Sequence, residues 1–600
     1  MKDVVRIGCG AGFWGDSPAG AAQLVAHGRL DYLVMDYLAE ITMSILARMK
    51  SADANAGYAT DFVGAVMQPL LGDIARQGLR VVTNAGGVNP LACKAALEAL
   101  IGAAGLSLRV AAVSGDDLGG QVDALRAADV RELDTGAQLP AKLASMNAYL
   151  GATPIAAALA AGADIVVTGR CVDSALVLGP LMHEFGWQAT DYDRLAAGSL
   201  AGHVIECGTQ CTGGLFTDWE TVPGWDDMGF PIAECAPDGS FVLSKPDGTG
   251  GLISPATVAE QITYEIGDPA HYLLPDVCCD FSAVRVREVG PDRVRIEGAR
   301  GHAPSATYKV SATWADGYRC TATMMIGGHQ ARAKGERVAA AILARTRAQF
   351  AARGLGDYRE TSVEILGAES TYGPHSRALD TREVVVKLGV AHADKRALEL
   401  FAREIFPAAT AMAQGLTGFA GGRPTVQPVV RLFSCLVPKT TVTAEVVLED
   451  LRLAVAAPPG EHTPPGAGPT DATSADEAVA DLATVPLRRL AYARSGDKGD
   501  RANIGLIARH PEFVPVLARE VTASAVAAWF GHLAQGPVTR YPWPGLAAFN
   551  FVLERALGGG GVASLRHDPQ GKTYGQMLLE MPVQVPAAWA GKGGILPPQP

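Results

Sequence analysis

Along the first 190 residues, short apolar runs alternate with stretches of helical period. Residues 4–7, 32–35, Arg80–Thr83, 108–113 and 164–168 are compact runs rich in Val, Ile, Leu and Met. Each ends at its carboxyl side in glycine and polar residues, and segments with apolar residues three or four apart lie between them. Short fully apolar runs alternating with helices predict a mostly parallel sheet covered by helices, with ligands at the carboxyl ends of its strands. A closed barrel shares this grammar, although the number of strands is low for one.

From about 198 to 330 the helical period fades, glycine rises, and alternating runs at 294–296, 308–312 and 320–326 predict antiparallel strands. Mixed signals return from about 334 to 450: helices at 337–353 and 394–405, strands at 362–365 and 383–387. Residues 456–483, rich in Pro, Gly, Ala and Thr, read as a linker. The pattern after it predicts a compact α+β unit, with strands at 487–493, 562–565 and 576–581, an apolar run at 503–508, and helices at 523–530 and 549–557. The expected organisation is therefore an α/β domain over 1–197, a β-rich and mixed continuation over 198–455, the linker, and a C-terminal α+β domain over 484–600.

The opening run feeds Ile7-Gly8-Cys9-Gly10-Ala11-Gly12-Phe13-Trp14-Gly15-Asp16-Ser17-Pro18. Gly10, Gly12 and Gly15 fit G-x-G-x-x-G, and Asp36 closes the next run, which together spell a dinucleotide fingerprint. Phe13 and Trp14 are bulky where a pyrophosphate would press. Asp16 or Ser17 as N-cap with Pro18 at the first helical position starts the helix late. NAD(P), another phosphate or carboxylate, and a plain turn all remain open for Gly10, Gly12, Gly15 and Asp16.

Chemistry-bearing residues recur after the other runs. Asn84, with Gly86 and Gly87, suits a carbonyl or an oxyanion, or else a simple turn into the next helix. Arg170 suits bidentate carboxylate or phosphate binding, with Asp173 as a neighbouring ligand contact or merely an ion-pair partner. Asp116 and Asp117 read as a base or as helix caps. The stretch from His203 to Gly214 holds His203, Glu206, Cys207 and Cys211. It fits no zinc spacing, and no metal is expected; His203 or Glu206 reads as a general acid/base. In the last unit, Lys498, Arg501 and Asn503 form a polar loop suited to an anion or to docking on the larger body.

A formal net charge of −11 argues against nucleic acid and anionic membrane surfaces, so an anionic ligand needs local cations. The ten cysteines include no CxxC pair, which fits a reducing cytoplasm. The first residues lack a signal-like apolar region, and no apolar run is long enough to span a bilayer.

Four stretches carry a resemblance: the opening loop 7–16, Asn84-Ala85-Gly86-Gly87, Gly162-Ala163-Asp164-Ile165-Val166-Val167-Thr168-Gly169-Arg170, and Glu206-Cys207-Gly208-Thr209-Gln210-Cys211-Thr212-Gly213-Gly214. Over roughly residues 4–450 the chain resembles the acyclic terpene utilisation AtuA family. Arg494-Ser495-Gly496-Asp497-Lys498-Gly499-Asp500-Arg501-Ala502-Asn503, with Phe549-Asn550-Phe551-Val552, resembles the ferredoxin-like domain often fused to it. The resemblance implies a catabolic role on a branched acyl-CoA or related carboxylate, since the family is named for citronellol and geraniol degradation through CoA thioesters. It brings no settled catalytic residues. The expected function is a lyase or hydratase step, with Asn84, Arg170, His203 and Glu206 for chemistry. No cofactor is expected beyond CoA as a substrate moiety, and a homo-oligomer is expected. An acyl-CoA-binding or scaffolding subunit and an NAD(P)-dependent oxidoreductase are the alternatives.

Overall fold

The computed structural model describes residues 2–419, 421–461, 481–591 and 593–596. Part of the expected linker, 462–480, lies outside the described residues. The apolar runs form β1 (Val5–Cys9), β2 (Tyr32–Met35), β3 (Arg80–Thr83), β4 (Val110–Ser114) and β6 (Ile165–Thr168), while β5 (Ser145–Ala148) belongs to another sheet. In the main sheet β1, β2, β3, β6 and β4 lie side by side in that order, all parallel. Their side chains are almost wholly buried because helices such as α1 (Pro18–His27) cover the sheet.

The sheet is open, not a barrel. β7 (Ile232–Cys235) pairs antiparallel with β1, and the strand Ala444–Leu448 pairs antiparallel with β4, extending it to eleven strands. The largest apolar core gathers residues from both expected segments, from Val5 to Leu448. The boundary expected at 197/198 falls inside the helix Tyr192–Ile205, so the two expected segments are one body. A second sheet is built on the 21-residue strand Thr307–Gly327, which pairs with β5. Helices Ala331–Ala352 and Lys395–Glu404 pack against it in a separate core.

The C-terminal unit is a four-stranded antiparallel sheet, Ala491–Lys498, Arg501–Ala508, Ala548–Leu553 and Val538–Trp543, with its own core. It begins earlier than expected: Leu482–Pro486 pairs with Pro582–Pro586, so residues 482 and 483 are strand, not linker. Two expected elements exchange type. Residues 549–557 contain the strand Ala548–Leu553, because Phe-Asn-Phe-Val is β-forming and both faces of the strand are covered. Residues 576–579 belong to the helix Tyr574–Leu579, which buries Tyr574, Met577 and Leu578 at helical spacing. Residues 562 and 563 lie in a turn, and 564 and 565 belong to no strand.

This unit is docked on the body. Trp543 is fully buried within the body's core, and its Nε1 donates to the Phe281 carbonyl at 2.7 Å. Asn550 Nδ2 donates to the carbonyls of Ile266 (2.7 Å) and Gly267 (2.6 Å). Arg509 grips Asp218 with two bonds of 2.6 Å.

Candidate active site

The glycine loop after β1 is closed by its own acid. Asp16 accepts from the Gly12 N–H at 2.9 Å and the Ser17 N–H at 2.7 Å, while Ser17 caps α1. An internal carboxylate thus occupies the donors that a phosphate would use. A Cβ on Gly10 would stand 2.9 Å from the Ala21 backbone, and one on Gly12 2.7 Å from that of Cys207. Close packing accounts for both glycines. Gly15, at φ +108°, completes the turn. In addition, antiparallel β7 lies beside β1, where a dinucleotide fold has its crevice between diverging parallel strands. Gly10, Gly12, Gly15 and Asp16 therefore shape a structural loop, and the dinucleotide reading is overturned.

Asn84 is likewise structural. It is fully buried; its Nδ2 donates to Asp36 at 2.6 Å and its Oδ1 accepts from the Tyr37 N–H at 2.7 Å. It fixes the loop after β2 and has no face left for a substrate. A Cβ on Gly86 would meet the Thr168 carbonyl at 2.5 Å, and one on Gly87 would meet Leu46 at 2.4 Å. The Gly87 N–H is spent on the Asn84 carbonyl at 3.1 Å. Gly86 lets the loop approach the end of β6 and Gly87 lets it approach the helix Glu40–Ala52, and close packing accounts for both.

Past β6 the chain turns toward chemistry. Arg170 is buried, donating from Nη1 to the Cys171 carbonyl at 3.0 Å and to Asp173 at 2.8 Å. Its guanidinium stacks on the Tyr149 ring, 4.2 Å from the centroid. The Tyr149 hydroxyl donates to Glu40 at 2.7 Å. Burial alone would raise the Glu40 carboxyl, but Lys309, Arg170 and Lys498 hold it well below the usual range. Asp116 sits behind this group, accepting from the Arg170 N–H at 2.9 Å and Asn147 Nδ2 at 2.8 Å. It locks the backbone of Arg170 and lies too deep to act as a base.

Burial pushes Asp116 up to about 6 against those two hydrogen bonds. The native state then holds a proton that the unfolded chain, near 3.9, has already lost. Stability should fall as pH rises from about 4 to 6, by on the order of 3 kcal/mol for a two-unit shift. Urea titrations of wild type and Asp116→Asn across this window check it; equal slopes refute it.

His203 and Glu206 end the helix Tyr192–Ile205 and lie one turn apart, Nδ1 to Oε1 3.3 Å. His203 is buried, with Nε2 3.1 Å from the Ile262 carbonyl. That carbonyl can only accept, so Nε2 carries a proton and Nδ1 faces Glu206. Burial pushes the imidazole down, but Glu206 more than offsets this, while burial lifts the Glu206 carboxyl. Glu206 retains some exposure and His203 almost none. The acid is therefore the more accessible member of the pair, and the histidine backs it. Burial raises the neighbouring Cys207 thiol far above its usual range, which disfavours a thiolate nucleophile.

The C-terminal unit adds the last groups. Lys498 Nζ donates to Glu265 at 2.7 Å, and Lys572 bonds the Tyr264 hydroxyl and Asp497. Asn503 acts on backbone: its Oδ1 accepts from the Glu265 N–H at 2.9 Å, and its Nδ2 donates to the Thr263 carbonyl at 2.8 Å. Arg501 points elsewhere, pairing with Glu554 at 2.6 Å and Asp134 at 2.5 Å, so it is not a ligand contact.

Family models match twice: the acyclic terpene utilisation family protein AtuA over residues 5–448, and the AtuA ferredoxin-like domain over residues 485–584. The chain belongs to the AtuA family. No curated protein and no solved structure matches it. Membership ties the chain to acyclic terpene utilisation. Within this family architecture, the AtuA segment carries Arg170, Asp173, His203 and Glu206, and the ferredoxin-like domain carries Lys498 and Asn503.

Glu40, Tyr149, Glu265, Tyr272 and Lys572 were not singled out from the sequence. Glu40 had a signal, since it lies five residues past β2 at the same carboxyl edge. A void of about 10 Å³, room for one water, is lined by Glu40, Asn147, Tyr149, Arg170 and Ser311. A separate cavity of about 220 Å³ shares no residue with this group. Its acids are satisfied locally, Asp193 by the Gly301 N–H and Asp238 by Ser240. The chemistry therefore concentrates at the strand edge. Among the described residues no helix is long and apolar enough to cross a membrane.

Proposed function

We propose that this AtuA protein is an enzyme that removes or returns a proton beside the carbonyl of a branched acyl-CoA or small carboxylate, in a lyase or hydratase step. One observation carries the reading: Glu206 is a largely buried carboxyl near the strand edge, raised by burial and backed by a histidine anchored on the Ile262 carbonyl. A carboxylate raised toward neutral pH is a matched general base. Glu206 takes the α-proton, and the C–H electron pair becomes the enolate. The enolate then expels a β-hydroxyl, which leaves as water with the same proton. Arg170, stacked on Tyr149 and tied to Asp173, adds fixed positive charge beside the site.

The test incubates purified protein with branched and terpenoid acyl-CoA thioesters in deuterated buffer. Mass spectrometry then reads solvent deuterium at the α-carbon and loss or gain of water. Exchange that depends on Glu206 supports the proposal. Binding of the thioesters without exchange or turnover overturns it and favours a non-catalytic acyl-CoA-binding role.

A further inference from the structure

The hairpin joining Ala491–Lys498 to Arg501–Ala508 is a long reach from the C-terminal core. Its strands pair out to Lys498 and Arg501, leaving a two-residue turn with Gly499 at φ +65°. A glycine at the first turn position suits a tight hairpin with right-handed twist. The tip enters the body. Arg501 binds Asp134 on one side, and Lys498 binds Glu265 on the other. Glu265 itself is a non-glycine residue at φ +58°, a conformation held by the Asn503 bond to its N–H. Strain of this kind persists only where the surroundings enforce it.

The Lys498 side chain keeps 51% of its area open. Glu265, the Tyr272 phenol, Glu40 and Asp173 stand close enough to favour its charged form. Lys498 in turn pulls down Glu206 and Glu40 and opposes charging of His203. It therefore stands in a solvent-reached seam between the ferredoxin-like hairpin and the strand edge. Other charges at the seam are already satisfied: Arg170 by Asp173, and Lys572 by Asp497 and Tyr264. An ammonium has three donors. Glu265 accepts one from Lys498, and no other hydrogen-bond acceptor for Lys498 is present among the described residues.

We propose that Lys498 is a catalytic residue, supplied to the body's strand edge by the second domain, whose ammonium receives the substrate's carbonyl oxygen as negative charge builds there. This rests on the acid/base reading above, with Glu206 taking the proton. Its acidic neighbours keep the lysine charged, so it acts as an electrostatic partner and not as an amine nucleophile. Docking does not depend on it, because Trp543, Asn550, Asn503 and the Arg509–Asp218 pair hold the domains together.

The test uses the full chain and a thioester that the wild type exchanges or consumes. Lys498→Met should lower kcat about 10²–10³-fold, the usual loss of one oxyanion donor, with KM within a few-fold. Lys498→Cys alkylated with 2-bromoethylamine should regain much of the rate. The acid limb of the kcat/KM profile should move to higher pH in Lys498→Met, because Glu206 loses a neighbouring cation. Limited proteolysis should show the domains still docked. A Met variant within threefold of wild type overturns the proposal, as does a loss that aminoethylation does not restore. If the wild type turns over no thioester, the acid/base reading fails and the catalytic role of Lys498 falls with it; an active wild type with an unaffected Met variant overturns the Lys498 assignment alone. In the active enzyme the Glu206 titration, followed by carboxyl ¹³C NMR, gives a second check: an unmoved midpoint in Lys498→Met overturns the proposal, and an upward shift supports it.

Discussion

Glu206→Gln should abolish turnover, lowering kcat by about 10²–10⁴-fold, the usual worth of a positioned general base, while leaving the fold intact. Glutamine has the same shape and cannot take a proton. The His203 anchor on the Ile262 carbonyl is independent of the substitution. The pH profile gives a second reading of the same group. Burial raises the Glu206 carboxyl above 4.5, so the base form fills only at higher pH and the acid limb should lie above that value. His203 partly counters this rise. His203→Asn should therefore push the limb further up while kcat at its plateau falls less than in Glu206→Gln. A Glu206→Gln enzyme with wild-type rate would sink the assignment of the acid. A His203→Asn enzyme with an unshifted limb would show that the histidine does not tune it.

Trp543→Ala should have the largest effect on stability. The indole is fully buried where the ferredoxin-like domain enters the body's core. Truncating such a side chain costs about 3–5 kcal/mol. It also strips the Phe281 carbonyl of its donor, at about 1–3 kcal/mol for a buried group left unpaired. The loss falls on the contact between the domains, because the C-terminal sheet keeps its own core. Urea unfolding followed by fluorescence and far-UV dichroism should then separate into two transitions, the earlier one being undocking. An unchanged midpoint with coincident probes would refute this account of the interface.

The parallel sheet was legible because each of its strands is a short apolar run ending in polar residues, a pattern set by burial on both faces. Arg170 and Asp173 follow β6, as their sequence context suggested, whereas His203 and Glu206, read as a loop, stand at the end of the helix Tyr192–Ile205. The glycine motif misled because spacing does not reveal where a loop's own acid points, and Asp16 points back at Gly12. Asn84 misled similarly, since a buried amide serving the backbone has the same sequence context as one serving a ligand. Residues 549–557 read as a helix because strand alternation is broken where Asn550 faces the body and not water. Lys498 and Glu265 are 233 positions apart, and only the docked fold brings them together.

The hairpin's insertion also bears on how the protein is made. A ribosome releases Glu206, His203 and Arg170 long before Lys498 is synthesised. A chain that stops short of Leu482 still carries the acid and its backing histidine but lacks the ammonium. Such a chain also lacks Trp543, so it is short of part of the body's core as well as of the ammonium. Under the assignments above, one domain both completes the packing of the other and supplies its charge.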